Sequence, residues 1–150
     1  METLSVLQNE APNQVGNSPA KRRSRAVPVH EHALQVAVVD WANLQANTLP
    51  ALKMLYAVPN GGRRAISVAR KLKAEGARPG VPDLVLPVPA NGFCGLYVEM
   101  KTRVGTVTPE QKQWHAWLRG VGQRVEVCRT TEAAIEVLRA HATAFQAAQQ

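Results

Sequence analysis

The sequence contains little cysteine. Its two cysteines among 150 residues, Cys94 and Cys128, form no CxxC pair and have no histidine partner at a metal-ligand spacing. The spacing leaves a disulfide between them open, but we expect reduced thiols in a cytoplasmic protein.

Long apolar runs are also missing. The run at residues 36–39 is bounded by Gln35 and Asp40, far short of the roughly 20 apolar residues that a membrane helix needs. Residues 1–5 lack the charged-then-apolar pattern of a secretion signal. We therefore expect a cytoplasmic protein that is neither secreted nor held in a membrane.

Acidic residues are outnumbered by basic ones. The chain has 18 Lys and Arg against 11 Asp and Glu, a net charge of +7. This excess favours a polyanionic partner, with nucleic acid first and an anionic membrane surface second. The length and the 45% hydrophobic content predict one globular domain with a true core.

The chain divides into an arm and a domain. Residues 1–26 are rich in Asn, Gln, Pro and Ser and end in the basic run 21–25, which predicts a disordered basic arm. The arm either adds non-specific phosphate contacts or is a solvated tail without a defined role. Residues 27–146 form the predicted folded domain.

Periodicity and turn signals within that domain predict the element order αβαββαβα. Helices are expected at about 29–45 and 64–75, from Pro109, and after Thr130; strands are expected at 52–58, 84–88, 96–101 and 124–128. This order predicts an α/β fold, a mixed sheet with helices on both faces. The side chains expected to point inward are Leu34, Ala37, Val38, Trp41 and Leu44, then Ala65, Val68, Ala69 and Leu72, then Trp114, Trp117, Leu118 and Val121, and finally Ala134, Ile135, Leu138 and Phe145.

The organising stretch runs from residue 80 to 101. Asp83 opens an apolar strand, the Asn91-Gly92 turn predicts a hairpin, and the next strand ends in Glu99-Met100-Lys101. Because side chains alternate along a strand, Glu99 and Lys101 share one face. If the two strands are neighbours, Asp83 joins them, and two carboxylates with one ammonium offer hard oxygen ligands for a divalent metal.

Two polar residues on predicted helices have alternative interpretations. Glu31 lies at the rim of the buried face of the first helix, where it either contributes to the metal site or only interacts with the helix dipole. Gln111 either caps its helix from the capping-box position after Thr108 or contacts the substrate or the lysine. His30 and His32 are expected to be surface residues.

A run of basic residues occupies the polar side of the second predicted helix. A solvated face is one interpretation, but the single sign of the charge and the preceding Gly-Gly turn favour a phosphate-binding surface. The residues are Arg63, Arg64, Arg70, Lys71 and Lys73.

Together these motifs resemble the PD-(D/E)xK nuclease superfamily, and most closely its VRR-NUC (virus-type replication-repair nuclease) branch. The resemblance spans about residues 29–140. The residues that carry it are the runs 59–64, 72–76 and 80–83, Glu99-x-Lys101, the helix start 108–114, the strand 122–127, and Glu31 with Gln35 as the acid of the first helix.

The resemblance implies Mg²⁺- or Mn²⁺-dependent hydrolysis of DNA phosphodiesters in a restriction-endonuclease-like fold. The metal ligands would be Asp83, Glu99 and the carbonyl of Met100, with Glu31 bound directly or through water. Lys101 would orient or activate the attacking water and stabilise the transition state, and Gln111 would be an accessory polar residue. Arg63 or Arg64 would hold a flanking phosphate.

Small members of this branch imply a homodimer that cuts branched DNA, such as a four-way junction. Two other classes compete: a catalytically inactive DNA-binding module that keeps the basic helix, and a basic RNA-binding protein. A sequence-specific restriction enzyme would need recognition elements for which this short chain has little room.

Overall fold

A computed structural model of the protein describes residues 30–59 and 66–150. The predicted basic arm, together with Arg63, Arg64 and Ala65, lies outside these ranges. The predicted order of helices and strands is confirmed, with one added 3₁₀ helix. The elements are α1 (Glu31–Gln45), the 3₁₀ helix (Pro50–Met54), β1 (Tyr56–Ala57), α2 (Ile66–Ala74), β2 (Leu84–Leu86), β3 (Leu96–Met100), α3 (Pro109–Gly120), β4 (Arg124–Cys128) and α4 (Thr131–Ala147).

The described strands form one mixed sheet in the order β1-β2-β3-β4. β1, β2 and β3 pair antiparallel, and β3 pairs parallel with β4, the latter through the α3 crossover. The predicted hairpin is confirmed: Asn91 and Gly92 both have positive φ, 52° and 82°, as a type I′ turn requires. Ala90 and Phe93, on either side of the turn, exchange two backbone hydrogen bonds of 3.1 and 2.9 Å.

Helices cover both faces of the sheet, as predicted. Val98 and Met100 of β3 are fully buried in one core cluster with Val38 of α1 and Leu138 of α4. Because side chains alternate, Glu99 faces the opposite side of the sheet, where it meets α3.

No helix in the described ranges is long and apolar enough to cross a bilayer. Both cysteines are free thiols, Cys94 exposed and Cys128 buried, which agrees with the expectation of reduced cysteine.

The strand predicted at 52–58 is wrong for its first half. Pro50 starts a 3₁₀ helix, held by backbone bonds from Leu52 N to Leu49 O (3.0 Å) and from Leu55 N to Leu52 O (3.1 Å). Proline has the fixed φ of a helix start and no N–H to lose there. Only Tyr56–Ala57 remains as strand β1.

Several predicted inward positions are also wrong. Ala37 is exposed, and Leu44 near the end of α1 is 79% exposed. Trp117 of α3 is 56% exposed, and Val121, directly after α3, is 68% exposed. The residues of α3 that are buried are His115 and Leu118, because the helix turns its Gln111 and His115 side towards buried Glu99 on the sheet.

The predicted apolar stripe of α2 is exposed as well. Val68 and Ala69 lie on the surface and Leu72 is half-buried. None of the extensive contacts between described elements involves α2, so no other element within residues 30–59 and 66–150 packs extensively against that stripe.

The loop before β2 lies directly against α3. Gly80 has φ +88°, and a Cβ built there would lie 2.8 Å from the carbonyl carbon of Glu110 and 2.9 Å from Cδ1 of Trp114. Backbone cannot give way as a flexible side chain can, so only glycine fits here. Asp83 follows Gly80 by three residues, so this contact places the start of α3 beside Asp83.

We expect Gly80→Ala to lower the free energy of unfolding by about 1–3 kcal/mol more than Gly76→Ala does. Gly76 is the matched control, since its φ is +96° but nothing lies within 4 Å of its Cβ position. Both variants carry the cost of a left-handed alanine, and only Gly80→Ala adds a clash. Urea unfolding measures the difference, and equal stabilities would contradict the contact.

Candidate active site

The pairing of β2 with β3 brings Asp83 beside Glu99. The register pairs Leu84 with Val98, and continuing it by one residue places Asp83 opposite Glu99. Oδ2 of Asp83 accepts a hydrogen bond of 2.8 Å from the backbone N–H of Met100, which fixes that carboxylate between Glu99 and Lys101. The three residues of the sequence motif therefore meet at one end of the sheet.

Lys101 lies between two carboxylates. Its Nζ is 2.9 Å from Oε1 of Glu99 and 3.3 Å from Oε2 of Glu31, and its side chain is buried. Burial opposes the positive charge, but the two carboxylates outweigh it and raise the pKa of Lys101 above its ordinary value. The side chain is therefore an ammonium ion at neutral pH.

Glu31 belongs to this cluster, which supports the functional interpretation of its position. Besides Lys101, it accepts a long hydrogen bond of 3.4 Å from the backbone N–H of Thr102 through Oε1. Gly105 makes room for it, since a Cβ at that position would lie 2.9 Å from the same oxygen. The first turn of α1 is thus tied to the chain that leaves β3. His30 and His32, on either side of Glu31, are exposed, as expected.

Glu99 is fully buried, and its two carboxylate oxygens have different surroundings. Oε1 interacts with Lys101 and accepts a hydrogen bond from Nε2 of Gln111, whereas Oε2 has no hydrogen-bond partner among the described residues. Burial raises the pKa of Glu99 to about 7; Lys101 opposes this shift, and the negative charges of Asp83 and Glu31 add to it. A buried acceptor without a partner is costly, and it marks a position where a cation would be favourable.

Gln111 caps its helix, which was one of the two roles considered for it, and it also contacts an acid of the site instead of the lysine. Its Oε1 accepts from the backbone N–H of Thr108 (2.9 Å) and its own N–H donates to Oγ1 of Thr108 (3.3 Å), which completes a capping box. Its Nε2 donates to Glu99 rather than to Lys101. The start of α3 is thereby connected to the acid of β3.

His115 also belongs to the site, although it was not among the residues predicted from the sequence. It lies one turn after Gln111 on the same face of α3, is buried, and places Nε2 at 3.5 Å from Oε2 of Glu99. Burial, then the charges of Arg119 and Lys101, lower its pKa, so the imidazole is neutral. The i, i+4 spacing of Gln111 and His115 was the available signal.

The basic residues of α2 that the structure describes are exposed. Arg70, Lys71 and Lys73 are all on the surface, and Lys71 forms an exposed pair with Glu75 at 3.8 Å. Such a pair contributes little, so the helix remains a strongly basic surface. Arg63 and Arg64 lie outside the described residues.

Comparison with known proteins identifies the family. The arrangement above is an α/β mixed sheet with paired acids and a lysine at one end, and the family model of the VRR-NUC domain matches residues 20–132. The chain belongs to the VRR-NUC family. A solved structure described as a VRR_NUC domain protein shares the fold, with a TM-score of 0.63 and 24% sequence identity over 77% of this chain and 89% of that chain. No curated protein matches the chain significantly.

Membership in the family implies a nuclease of the PD-(D/E)xK type with DNA as its substrate. Nucleases of this kind generally use divalent metal ions. Among the described residues, no three His, Cys, Asp or Glu side chains converge into a complete metal cage. Mg²⁺ does not need one, because it commonly keeps several waters and binds one or two carboxylates with the substrate phosphate. Asp83 with the unpartnered Oε2 of Glu99 fits that requirement.

The raised pKa of Glu99 makes stability depend on pH. In metal-free buffer the folded state keeps the Glu99 proton up to about pH 7, whereas the unfolded state releases it near 4.5. The free energy of unfolding should therefore fall between these pH values by about 2–3 kcal/mol from this group. Glu99→Gln, which stays neutral, should flatten that part of the profile.

Urea unfolding at pH 4.5–8 with EDTA measures this effect. The matched control is Glu136→Gln on the exposed side of α4, which should keep the wild-type profile. Parallel profiles for wild type and Glu99→Gln would show that Glu99 does not titrate in this range.

Proposed function

We propose that the protein is a cytoplasmic, Mg²⁺- or Mn²⁺-dependent endonuclease that hydrolyses phosphodiesters in branched DNA, such as four-way junctions. The observation that carries this proposal is the convergence of Asp83, Glu99 and Lys101 at one end of the sheet, where Oε2 of Glu99 accepts no hydrogen bond from any residue that the structure describes. Asp83, Glu99 and the carbonyl of Met100 would hold the metal, and Glu31 would act directly or through water.

A divalent ion at this position supplies Lewis-acid stabilisation of the negative charge on the scissile phosphate. The protein's own groups do the rest. Lys101, an ammonium held by two carboxylates, cannot accept a proton, so it orients the attacking water and stabilises charge in the transition state. Gln111 holds Glu99 in place, and the N–H of Met100 holds Asp83.

The DNA strand would be bound by the basic residues that precede the site. Arg63 or Arg64 would contact a phosphate next to the scissile one, and Arg70, Lys71 and Lys73 would extend the contact along α2. These side chains are exposed where the structure describes them, and the net charge of +7 supports a polyanionic substrate.

A homodimer would suit a junction substrate. A four-way junction presents symmetry-related strands, and two copies of the chain related by a two-fold axis would place one site on each of two strands. Paired cuts would then follow from symmetry.

We expect Asp83→Asn and Lys101→Met each to reduce cleavage by at least about 100-fold while DNA affinity stays within a few-fold of wild type. Both substitutions keep the size of the side chain and remove the charge that the chemistry needs. Labelled junction, flap, duplex and single-stranded DNA with Mg²⁺ or Mn²⁺ form the assay. The matched controls are the exposed Asp40→Asn and Lys112→Ala, which should cut normally.

Retained cleavage by Asp83→Asn would contradict the metal assignment. If wild-type protein binds these DNAs tightly and cuts none of them with either metal, the protein is instead an inactive DNA-binding module. Preference for RNA without metal dependence would point to the RNA-binding class.

The double variant Arg70→Ala/Lys73→Ala should weaken DNA binding and flatten its salt dependence, by about 0.7–0.9 in the log–log slope for each phosphate that the variant no longer neutralises. The control variant Lys53→Ala/Lys112→Ala removes two exposed charges from other elements. Titrations between about 50 and 200 mM salt provide the slope. An equal change in both variants would show that only net charge matters.

A further inference from the structure

A pocket of about 470 Å³ lies beside the catalytic cluster and plays no part in the chemistry proposed above. It lies between the first turns of α1 and α4 and the loop that leaves β3. Leu34 and Val104 give it apolar walls, and Arg103, Arg129 and Glu132 lie at its polar edge. The size and the mixture of apolar walls with few polar groups are typical of a small-ligand site.

One arginine holds the loop that forms one wall of this pocket. Nη1 of Arg129 donates to the carbonyl oxygens of Thr102 (2.8 Å), Arg103 (3.3 Å) and Gly105 (2.7 Å). The loop therefore presents its tip in a fixed position. At that tip Val104 is 90% exposed, and the neighbouring Arg103 is exposed as well.

The pocket adjoins the place where the scissile phosphate would lie. Thr102, in its lining, directly follows Lys101 and donates its N–H to Glu31. Leu34, also in the lining, follows Glu31 by three residues and lies on the same side of α1. A nucleotide next to the phosphate at Lys101 is therefore within reach of the pocket.

The apolar walls and Glu132 suit a base, whereas Arg103 suits the phosphate attached to it. The Glu132 carboxylate would repel a phosphate, but it can accept a hydrogen bond from an amino or imino group of a base. Apolar side chains and guanidinium planes are the groups against which unstacked bases pack. A base must leave the stack to enter a protein pocket, and this costs least for a base that is already unpaired.

We propose that this pocket binds one unpaired base adjacent to the cleaved phosphodiester, with Val104 against its face and Arg103 on its phosphate. The proposal rests on the proposed function and narrows it. DNA with an unpaired nucleotide next to the cut would be preferred over uninterrupted duplex, which gives a physical basis for selecting branched DNA.

The test measures binding in EDTA, so its result does not depend on cleavage. The probes are a duplex with one extra unpaired nucleotide, the fully paired duplex, and the first duplex with an abasic residue at the unpaired position. Wild-type protein should bind the duplex with the unpaired nucleotide about five-fold or more tightly than either the fully paired or the abasic duplex.

Two variants alter the pocket in different ways. Val104→Ser removes the exposed apolar wall, and Thr131→Phe fills the space from the start of α4. Each should bring the affinity ratio towards one without changing the affinity for paired duplex. The matched control is Val121→Ser, an exposed valine at the far end of the sheet, which should keep the wild-type ratio.

Three results would overturn the proposal: a ratio near one for wild type, a ratio unchanged in both pocket variants, or a loss of self-association in Val104→Ser with the ratio unchanged. The last result would make the loop a protein–protein contact. None of them bears on the nuclease assignment, which the cleavage assay tests separately. A melting curve for each variant confirms that it is folded.

Discussion

The buried carboxylate of Glu99 is the constraint on which the site depends. A carboxylate without water is strongly disfavoured unless charges and hydrogen bonds replace its hydration. Here the replacement comes from Lys101, directly after β3, and from Gln111 on α3, while His115 faces the second oxygen. The orientation of α3 and the course of the chain after β3 follow from this requirement.

Much of the fold could be predicted because its signals are local. The Asn91-Gly92 turn determines the hairpin, and the hairpin register then places Asp83 opposite Glu99. The capping box is likewise determined by four consecutive residues, from Thr108 to Gln111. Where residues three or four apart decide the conformation, one sequence is enough to locate the element and part of the site.

The predictions that were wrong or left open concern residues whose surroundings depend on contacts with residues far away in the sequence. Periodicity alone predicts that Trp117 points inward. In the structure the polar residues Gln111 and His115 face buried Glu99 on the sheet, and Trp117 is mostly exposed. The alternatives for Glu31 could not be resolved from position, since its contact with Lys101 joins residues 70 apart in sequence. The apolar stripe of α2 was predicted to point inward because a sequence pattern does not show whether another element packs against it; in the described part of the chain Val68 and Ala69 are exposed.

The two strands that carry the acids also connect the site with a remote part of the surface. The Asn91-Gly92 turn lies at the other end of the hairpin, and both of its residues are exposed. Five residues of β3 separate the two ends, a span of about 16 Å at the usual rise of a strand. A fluorophore or a surface tether attached at this turn would be remote from the proposed catalytic residues. Single molecules could then be followed without disturbing the site.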